Sequence, residues 1–316
     1  MVVWMMVFSV SLAVLILAAK YFTEAAERIG LALKMTPFMV GVIIVAVGTS
    51  LPELIAGIIA ASQGSSEIVV GNVIGANISN IFLILGVTTL VSKKSIHLGE
   101  EYIFIDLHFM LGSITFLVIF LMDGVVTWKE GIILIIGFIV YQMYLLRSEK
   151  PDAMPSLNSP EKILATTHVS GKDLGILLAA GLGIYFGANY TIEAVTELAS
   201  GLGISKALVG LTVLSLGTTL PELAVSITAA RAGHPQIAVG NILGSCIFNA
   251  FMVTGTASFI SPLVLPEEIH FTALSFLISA AVFFYLLSQD KKVSKWEGML
   301  FILFYLVFVL KLGKII

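Results

Sequence analysis

Long apolar runs alternate with short polar connections along the chain, and this pattern predicts a membrane protein with many spans. A transmembrane helix needs about 20 mostly apolar residues. Segments that approach this requirement lie at 2–20, 38–62, 68–92, 103–122, 127–146, 173–192, 206–230, 237–261, 270–288 and 296–313. We therefore expect an all-α polytopic fold with ten transmembrane helices.

Composition supports this interpretation. The chain has 316 residues, of which 58% are hydrophobic and 12% are charged, whereas soluble domains carry about 25% charged residues. The formal net charge of −3 gives no indication of a nucleic-acid partner. Because the chain has one cysteine, Cys246, a cluster of cysteines cannot hold a metal ion. The bilayer is the expected environment, and no feature requires a protein partner, which leaves a monomer open.

The distribution of Lys and Arg predicts the orientation. If the N-terminus lies outside, the inside connections hold 13 of the 17 basic residues and the outside regions hold 4. Positive residues accumulate on the cytoplasmic side, so both termini are expected outside the plasma membrane. The longest polar connection, 147–172, contains three prolines and is expected to be a cytoplasmic linker.

The two sides of this linker contain an internal repeat. Shifting the sequence by 169 places 40–81 on 209–250 without a gap, and 19 of the 42 positions are identical. We divide the chain into a first five-helix repeat, 1–146, and a second, 173–316. Because five is odd, the second repeat must be inverted relative to the first. Inverted repeats with Gly/Pro-interrupted helices are typical of secondary transporters, whose binding site lies at the repeat interface.

The strongest repeated motif places a carboxylate inside an apolar segment. "GTSLPEL" at 48–54 matches "GTTLPEL" at 217–223. Pro52 and Pro221 lack a backbone N–H, so each helix is expected to kink or break there. A break would release carbonyl oxygens next to hydroxyl groups and to the carboxylates of Glu53 and Glu222. Such hard oxygen ligands suit Ca²⁺, Na⁺, Mg²⁺ or Mn²⁺.

A second motif adds amides. "GNVIGANISN" at 71–80 matches "GNILGSCIFN" at 240–249, which pairs Asn80 with Asn249. The separation from Glu53 to Asn80 equals that from Glu222 to Asn249, 27 residues in each half. Asparagines often only bond across helices, so a structural role for them stays open. Ionisable groups at mid-membrane are costly and usually functional, which favours a binding role for the glutamates.

Three classes of protein could use these oxygens. A secondary transporter fits the internal repeat, whereas a channel usually builds its pore from rings of several subunits. A membrane-embedded enzyme would need further catalytic partners, and the sequence contains no nucleophile–base set, P-loop or HExxH motif. We therefore expect a transporter and no enzyme activity or cofactor.

The paired motifs resemble the two α-repeats of the calcium/cation antiporter superfamily, specifically its sodium/calcium exchanger branch of the prokaryotic and archaeal type. The resemblance implies a ten-helix inverted-repeat fold with broken helices around a central ion site. It also implies exchange of Na⁺ for Ca²⁺ by alternating access, in which both ions compete for two glutamates.

The resemblance assigns roles to particular residues. Glu53 and Glu222 would be the carboxylates that Ca²⁺ and Na⁺ share. Thr49 and Thr218 would supply backbone carbonyls to Ca²⁺, and Ser50 and Thr219 would supply hydroxyls to Na⁺. The remaining positions are assigned to the outer Na⁺ sites and to the centre: carbonyls of Ala46 and Ser215, the hydroxyl of Ser245, and the amides of Asn80 and Asn249.

Two departures from the family pattern bear on coupling. The partner of Ser245 in the first half is Ala76, so one expected hydroxyl is missing and the stoichiometry stays open. In potassium-dependent relatives, an acidic residue near this point is linked to K⁺ use. This chain has amides at both Asn80 and Asn249, so its centre contains only two carboxylates, and the resemblance argues against K⁺ transport. Proton-coupled exchange of Ca²⁺ or another divalent cation on the same fold is the alternative.

Overall fold

A computed structural model describes residues 2–33, 35–92, 95–98, 105–147, 169–201, 217 and 219–312. In these parts of the chain the structure is mostly helical. The helices are α1 (Val2–Ala32), α2 (Pro37–Ser62), α3 (Ser66–Val91), α4 (Leu107–Leu121), α5 (Trp128–Arg147), α6 (Gly171–Gly201), α7 (Leu220–Ala232), α8 (Pro235–Ser258), α9 (Glu267–Leu287) and α10 (Lys295–Leu312).

Seven of these helices are long and apolar enough to cross a membrane. They are α1, α2, α3, α5, α6, α8 and α9. The described part of α7 has 13 residues and α4 has 15, while α10 carries Lys295, Glu297 and Lys311. Most of the 147–172 linker, and 206–216 of the seventh predicted span, lie outside the described residues.

Two helices extend well beyond their predicted spans. The prediction ended the first span at residue 20, yet α1 continues to Ala32 because Phe22, Ala26 and Ile29 keep one face buried after Lys20. Likewise α6 runs to Gly201 instead of residue 192. Hydropathy alone ends a span at the first polar residues, whereas one packed face is enough to continue a helix.

Of the kink or break predicted at Pro52, the break was wrong, because Pro52 lies inside the continuous α-helical part of α2, Ala46–Ser62. The preceding residues, Val40–Val45, form a π-helix. Membrane helices tolerate proline when local π adjustments and hydroxyl side chains satisfy the released backbone groups. In the second half, α7 begins at Leu220 with Pro221 in its first turn, where a missing N–H has no cost.

Two further π-helical segments occur at corresponding places of the halves. They are Ser79–Ile84 within α3 and Phe248–Val253 within α8, which are separated by 169 residues, since 248 − 79 = 169. Asn80 and Asn249 are the second residue of each segment. Single π turns inside α-helices are frequent at functional sites, and nothing in the hydrophobic pattern predicted these.

Short strands join loops from different halves. β1 (Ile96–His97) pairs antiparallel with β4 (Lys292–Val293), and β2 (Val125–Val126) pairs antiparallel with β3 (Leu263–Val264). In each ribbon one strand follows the third helix of one half, and the other precedes the fifth helix of the other half. The ribbons therefore tie the two halves together.

The helices behind these ribbons pack through matching small residues. A Cβ added at Gly298 of α10 would overlap the Thr89 hydroxyl of α3 and lie 3.0 Å from the Gly86 carbonyl oxygen. A Cβ at Gly131 of α5 would overlap the hydroxyl of Ser258 in α8 and lie 3.0 Å from the Gly255 carbonyl oxygen. Small residues permit such close approach between membrane helices.

α1 and α6 form a separate pair beside this core. Gly187 of α6 packs against the backbone of Leu15, and the Thr191 hydroxyl donates a hydrogen bond to the Ser11 hydroxyl over 2.9 Å. The Arg28 guanidinium pairs with the Asp173 carboxylate at 2.7 Å near one end of the helices. Much of α1 away from this contact is apolar and exposed, as expected of a lipid-facing surface.

Candidate cation site

The two glutamates lie in the interior of the helical bundle. Glu53 of α2 and Glu222 of α7 are each 1% exposed. The Ser50 hydroxyl, three residues before Glu53 in α2, donates a hydrogen bond to Glu222, which brings the two motifs together. Among the described residues, neither carboxylate forms an ion pair with Lys, Arg or His. Buried carboxylates without a cationic partner are strongly unfavourable, so the structure leaves a need for positive charge between them.

The second glutamate is held by a chain of hydroxyls. The Ser50 hydroxyl donates to Glu222 Oε1 over 3.0 Å, and the Ser245 hydroxyl lies 2.9 Å from Ser50 Oγ. Glu222 Oε2 has no hydrogen-bond partner among the described residues. Residues from α2, α7 and α8 thus meet at one point, and one oxygen of Glu222 remains available.

Glu53 is not held in this way. Both its carboxylate oxygens are buried and lack a hydrogen-bond partner within the described part of the chain. The same is true of both polar side-chain atoms of Asn80 and of Asn249 Oδ1. Buried polar groups are nearly always hydrogen-bonded, and several unpartnered oxygens on facing helices are the arrangement that a cation would satisfy.

The Thr49 hydroxyl links α2 to α8. Thr49 Oγ1 donates to Asn241 Oδ1 over 3.1 Å. Asn241 Nδ2 in turn donates to Ser226 Oγ over 3.0 Å and approaches the Glu222 carbonyl oxygen at 3.4 Å. Asn241 therefore connects the first motif to the turn that carries Glu222.

Other assigned positions are only partly described. Ala46 and Thr219 are buried, and Thr219 occupies the N-cap position of α7. Thr218 and Ser215 lie outside the described residues, so their assignments stay predictions. Ala76 is buried at the place that corresponds to Ser245 and brings no hydroxyl.

Sequence reasoning missed two features of this site. Asn241 lies in the second repeated motif, where it matches Asn72, but its contact with Thr49 could not be predicted from the spacing. Ser226 had no signal at all, because its partner under the shift of 169 is Gly57.

Apolar helices that surround buried carboxylates and unpartnered oxygens indicate an integral membrane protein of a cation-transporting class. The family model described as "Sodium/calcium exchanger protein" matches residues 3–147 and 172–312. The chain belongs to this family of cation antiporters, within the prokaryotic and archaeal branch of the calcium/cation antiporters.

Individual relatives agree with this assignment. The sodium/calcium exchanger MaX1 of Methanosarcina acetivorans is 30% identical, with 95% of this chain and 96% of MaX1 aligned. The putative antiporter CaxA of Alkalimonas amylolytica is 33% identical over 80% of this chain and 79% of its own length.

A solved structure extends the likeness to the fold. A structure of the sodium-calcium exchanger NCX_Mj, soaked with 2.5 mM Na⁺ and 0.1 mM Ca²⁺, superposes with a TM-score of 0.82 at 26% identity. The superposition covers 97% of both chains. The two segments that match the family model lie on either side of the 147–172 linker.

Proposed function

We propose that the protein exchanges Na⁺ for Ca²⁺ by alternating access, with both ions competing for Glu53 and Glu222. The observation that carries this proposal is the pair of buried carboxylates without a cationic partner among the described residues. Two such carboxylates neutralise one divalent cation. Calcium accepts six to eight oxygens in flexible geometry, which suits a site that is assembled from several helices.

The surrounding groups suggest how the ligands divide. The backbone carbonyls of Thr49 and Thr218 are proposed to contact Ca²⁺, as the resemblance implies. The hydroxyls of Ser50 and Ser245 meet beside Glu222, which supports a Na⁺ position there.

The other assignments follow the resemblance. Thr219 would supply a hydroxyl to Na⁺, and the Asn80 and Asn249 amides would line the centre. Ala46 and Ser215 would supply backbone carbonyls to the outer Na⁺ positions.

We also propose the finer architecture of ten transmembrane helices in two inverted repeats, 1–146 and 173–316. The reciprocal contacts support it. The third helix of each half packs on the fifth helix of the other half through Gly and a hydroxyl residue, and the two β-ribbons repeat the same exchange. A two-fold axis in the membrane plane produces such reciprocity.

The same axis would place the two ribbons on opposite faces of the membrane. The loops that carry β1 and β4 contain Lys93, Lys94, Lys291 and Lys292, whereas those that carry β2 and β3 contain no Lys or Arg. This supports termini outside the plasma membrane and a cytoplasmic 147–172 linker.

Exchange would proceed without leak because the empty site is costly to enclose. Two carboxylates without a bound cation resist transfer into a closed, dehydrated site. The moving elements are proposed to be α1 and α6, which pack closely on each other and carry none of the proposed ligands. They would slide together past the rest of the molecule.

Uptake of radioactive Ca²⁺ into proteoliposomes tests this function. Vesicles are loaded with Na⁺, with K⁺ or with a low-pH buffer, and the membrane potential is clamped. We expect uptake only where an outward Na⁺ gradient is present. Uptake that follows a proton gradient and ignores Na⁺ would instead assign the protein to proton-coupled exchange on the same fold.

A further inference from the structure

An asparagine that none of the proposed ligand roles includes, Asn241, lies where three helices meet in the core. Its side chain is completely buried in α8. Thr49 of α2 donates its hydroxyl hydrogen to Asn241 Oδ1 over 3.1 Å. On α7, Asn241 Nδ2 donates to Ser226 Oγ over 3.0 Å and approaches the Glu222 carbonyl oxygen at 3.4 Å. One amide therefore holds residues of both halves of the chain.

These partners determine how the amide is oriented. A backbone carbonyl oxygen only accepts hydrogen bonds, so the group that faces the Glu222 carbonyl must be the NH₂ group of Asn241. The side-chain oxygen then faces Thr49, whose hydroxyl must donate. The position needs an acceptor towards α2 and donors towards α7, and an amide supplies both. Such a buried network, in which both polar atoms of the amide are bonded, is rigid.

The contacts lie on the helix faces that carry the glutamates. Residues four apart in a helix share a face. Thr49 precedes Glu53 by four residues in α2, and Glu222 precedes Ser226 by four residues in α7. Asn241 thus contacts α2 one turn before Glu53 and contacts α7 at the backbone of Glu222. Its amide constrains how the two helices lie along each other, and with this the relative position of the two carboxylates.

The first half does not repeat this arrangement in full. Under the shift of 169, Asn72 takes the place of Asn241, and Gly57 takes the place of Ser226. Gly57 has no hydroxyl, and Asn72 is partly exposed whereas Asn241 is completely buried. At these corresponding positions, the second half alone offers a hydroxyl to the amide. The contacts of Asn241 are therefore a feature of the second half and do not simply follow from the repeated sequence.

We propose that Asn241 is a positioning residue for cation binding, which holds Glu53 and Glu222 at the separation that one Ca²⁺ bridges. In this role the amide acts through Thr49 and the backbone of Glu222 and does not contact the ion. Replacing a residue that orients the ligands of a metal site commonly lowers the affinity about 10- to 100-fold. The inference rests on the proposed function, because it requires a Ca²⁺ between the two glutamates.

Equilibrium binding of radioactive Ca²⁺ to the purified full chain tests this role, with thermal unfolding measured on the same samples. Asn241→Leu removes the donors and the acceptor while it keeps a similar side-chain shape. We expect the Kd for Ca²⁺ to rise about tenfold or more, whereas a merely structural role would lower the melting temperature and leave the Kd unchanged. Asn189→Leu is the control, because it changes an exposed amide of α6 whose described bond is to the Tyr185 carbonyl oxygen.

Two further variants show whether the effect passes through the bonded partners. Thr49→Val and Ser226→Ala each delete one hydroxyl and keep Asn241. Each should raise the Kd for Ca²⁺ about 3- to 5-fold, as expected from the loss of one hydrogen bond. Thr49→Val combined with Asn241→Leu should raise the Kd about as much as Asn241→Leu alone, because both changes break the same bond. If Asn241→Leu fails to fold, the two hydroxyl variants decide.

The outcomes separate this inference from the proposed function. An unchanged Kd in Asn241→Leu, or in both hydroxyl variants, overturns the positioning role, while displacement of Ca²⁺ by Na⁺ from the unaltered protein still supports exchange. Additive losses in the double variant also overturn it, since Asn241 would then act by another route. A raised Kd in a protein whose Ca²⁺ binding ignores Na⁺ supports the positioning role and rejects competition between the ions. If the unaltered protein binds no Ca²⁺, both are overturned.

Discussion

The two copies of the glutamate motif differ by one residue over seven, yet they lie in different local structures. Glu53 follows a proline in the middle of a continuous helix, and both its oxygens are unpartnered within the described residues. Glu222 lies in the first turn of a helix that begins at Leu220, and it accepts a hydrogen bond from Ser50. The helix dipole favours a negative charge in the first turn of a helix, where Glu222 lies. Glu53 lies in the middle of its helix and is not stabilised in this way.

Two nearly identical copies of a motif can therefore form a site that is not symmetric. The Ser245 hydroxyl contacts the Ser50 hydroxyl, which donates a hydrogen bond to Glu222. Ala76, the corresponding residue of the first half, has no hydroxyl. On the proposed function, Glu222 would be positioned by a hydrogen bond before an ion binds, whereas Glu53 has no such bond among the described residues. We infer that the two carboxylates share the charge of the ion but differ in how they depend on it.

The largest expected effect is the loss of exchange on neutralising either carboxylate. Glu53→Gln and Glu222→Gln should each weaken Ca²⁺ uptake about 100-fold or more, since removing one partner of a buried charge pair costs about 3–5 kcal/mol. Flux in Na⁺-loaded proteoliposomes measures this. Asp123→Asn, a change at an exposed loop carboxylate that bonds only to the nearby Val125 amide in the described structure, is the control. Near-normal uptake by either Gln variant would show that the substituted glutamate is not part of the site.

A smaller effect is expected where the halves pack reciprocally. Gly131→Ala and Gly298→Ala should each destabilise the protein by about 1–3 kcal/mol, the usual cost of overpacking, because their methyl groups would overlap Ser258 and Thr89. Thermal unfolding in detergent measures the loss. Gly112→Ala serves as the control, since a Cβ there meets no described atom within 4 Å. Similar losses at both glycines are expected from the proposed repeat symmetry, and a loss at one alone would weaken it.

The inequality of the carboxylates predicts a difference in stability without ions. Glu53→Gln should raise the melting temperature more than Glu222→Gln, because Gln removes an unpartnered buried charge at Glu53 but disturbs the Ser50 hydrogen bond at Glu222. The gain is expected to be about 1 kcal/mol or more, because Gln leaves buried polar atoms at this position but removes the charge, whose burial costs more than that of a neutral group. Unfolding in Na⁺-free buffer with a Ca²⁺ chelator measures it, and equal shifts in the two variants would show that the carboxylates are equivalent.

The smallest effect is expected from exchanging the hydroxyls between the halves. Ser245→Ala should lower the apparent affinity for Na⁺ about 5-fold, as one hydrogen-bonding group contributes about 1 kcal/mol. Ala76→Ser should raise the apparent affinity for Na⁺ or change the cooperativity of Na⁺ binding, since the new serine supplies the hydroxyl that the first half lacks. The Na⁺ concentration dependence of Ca²⁺ efflux measures both. If Ala76→Ser changes nothing, the missing hydroxyl has no part in Na⁺ binding.

Much of the fold could be predicted because membrane helices depend on local composition. Lipid provides no hydrogen bonds, so an apolar run of sufficient length must be helical, and the repeat of "GTSLPEL" identified Glu53 and Glu222 directly. What composition could not show is backbone adjustment. The π-helical segments at Val40–Val45 and Ser79–Ile84 depend on how neighbouring helices pack. The first of these precedes the helical part that contains Pro52, and Pro52 lies inside a helix although the sequence predicts a kink or break there.

The asymmetry of the site was equally hidden. The hydrogen bond of Ser50 to Glu222 joins residues 172 positions apart, and the sequence treats Ser50 and Thr219 as equivalents. The contact of Thr49 with Asn241 is of the same long-range kind. Such contacts follow from the arrangement of the two halves, which a comparison of the repeats alone does not provide.

Competition between the two ions for the same carboxylates is the central claim, and equilibrium binding of Ca²⁺ at increasing Na⁺ tests it most directly. Radioactive Ca²⁺ is bound to the purified protein, to Glu53→Gln and to Glu222→Gln, each across a series of Na⁺ concentrations. We expect one Ca²⁺ per protein, steep displacement of Ca²⁺ by Na⁺, and loss of Ca²⁺ binding in both variants. Ca²⁺ binding that ignores Na⁺, or that persists in both variants, would contradict it.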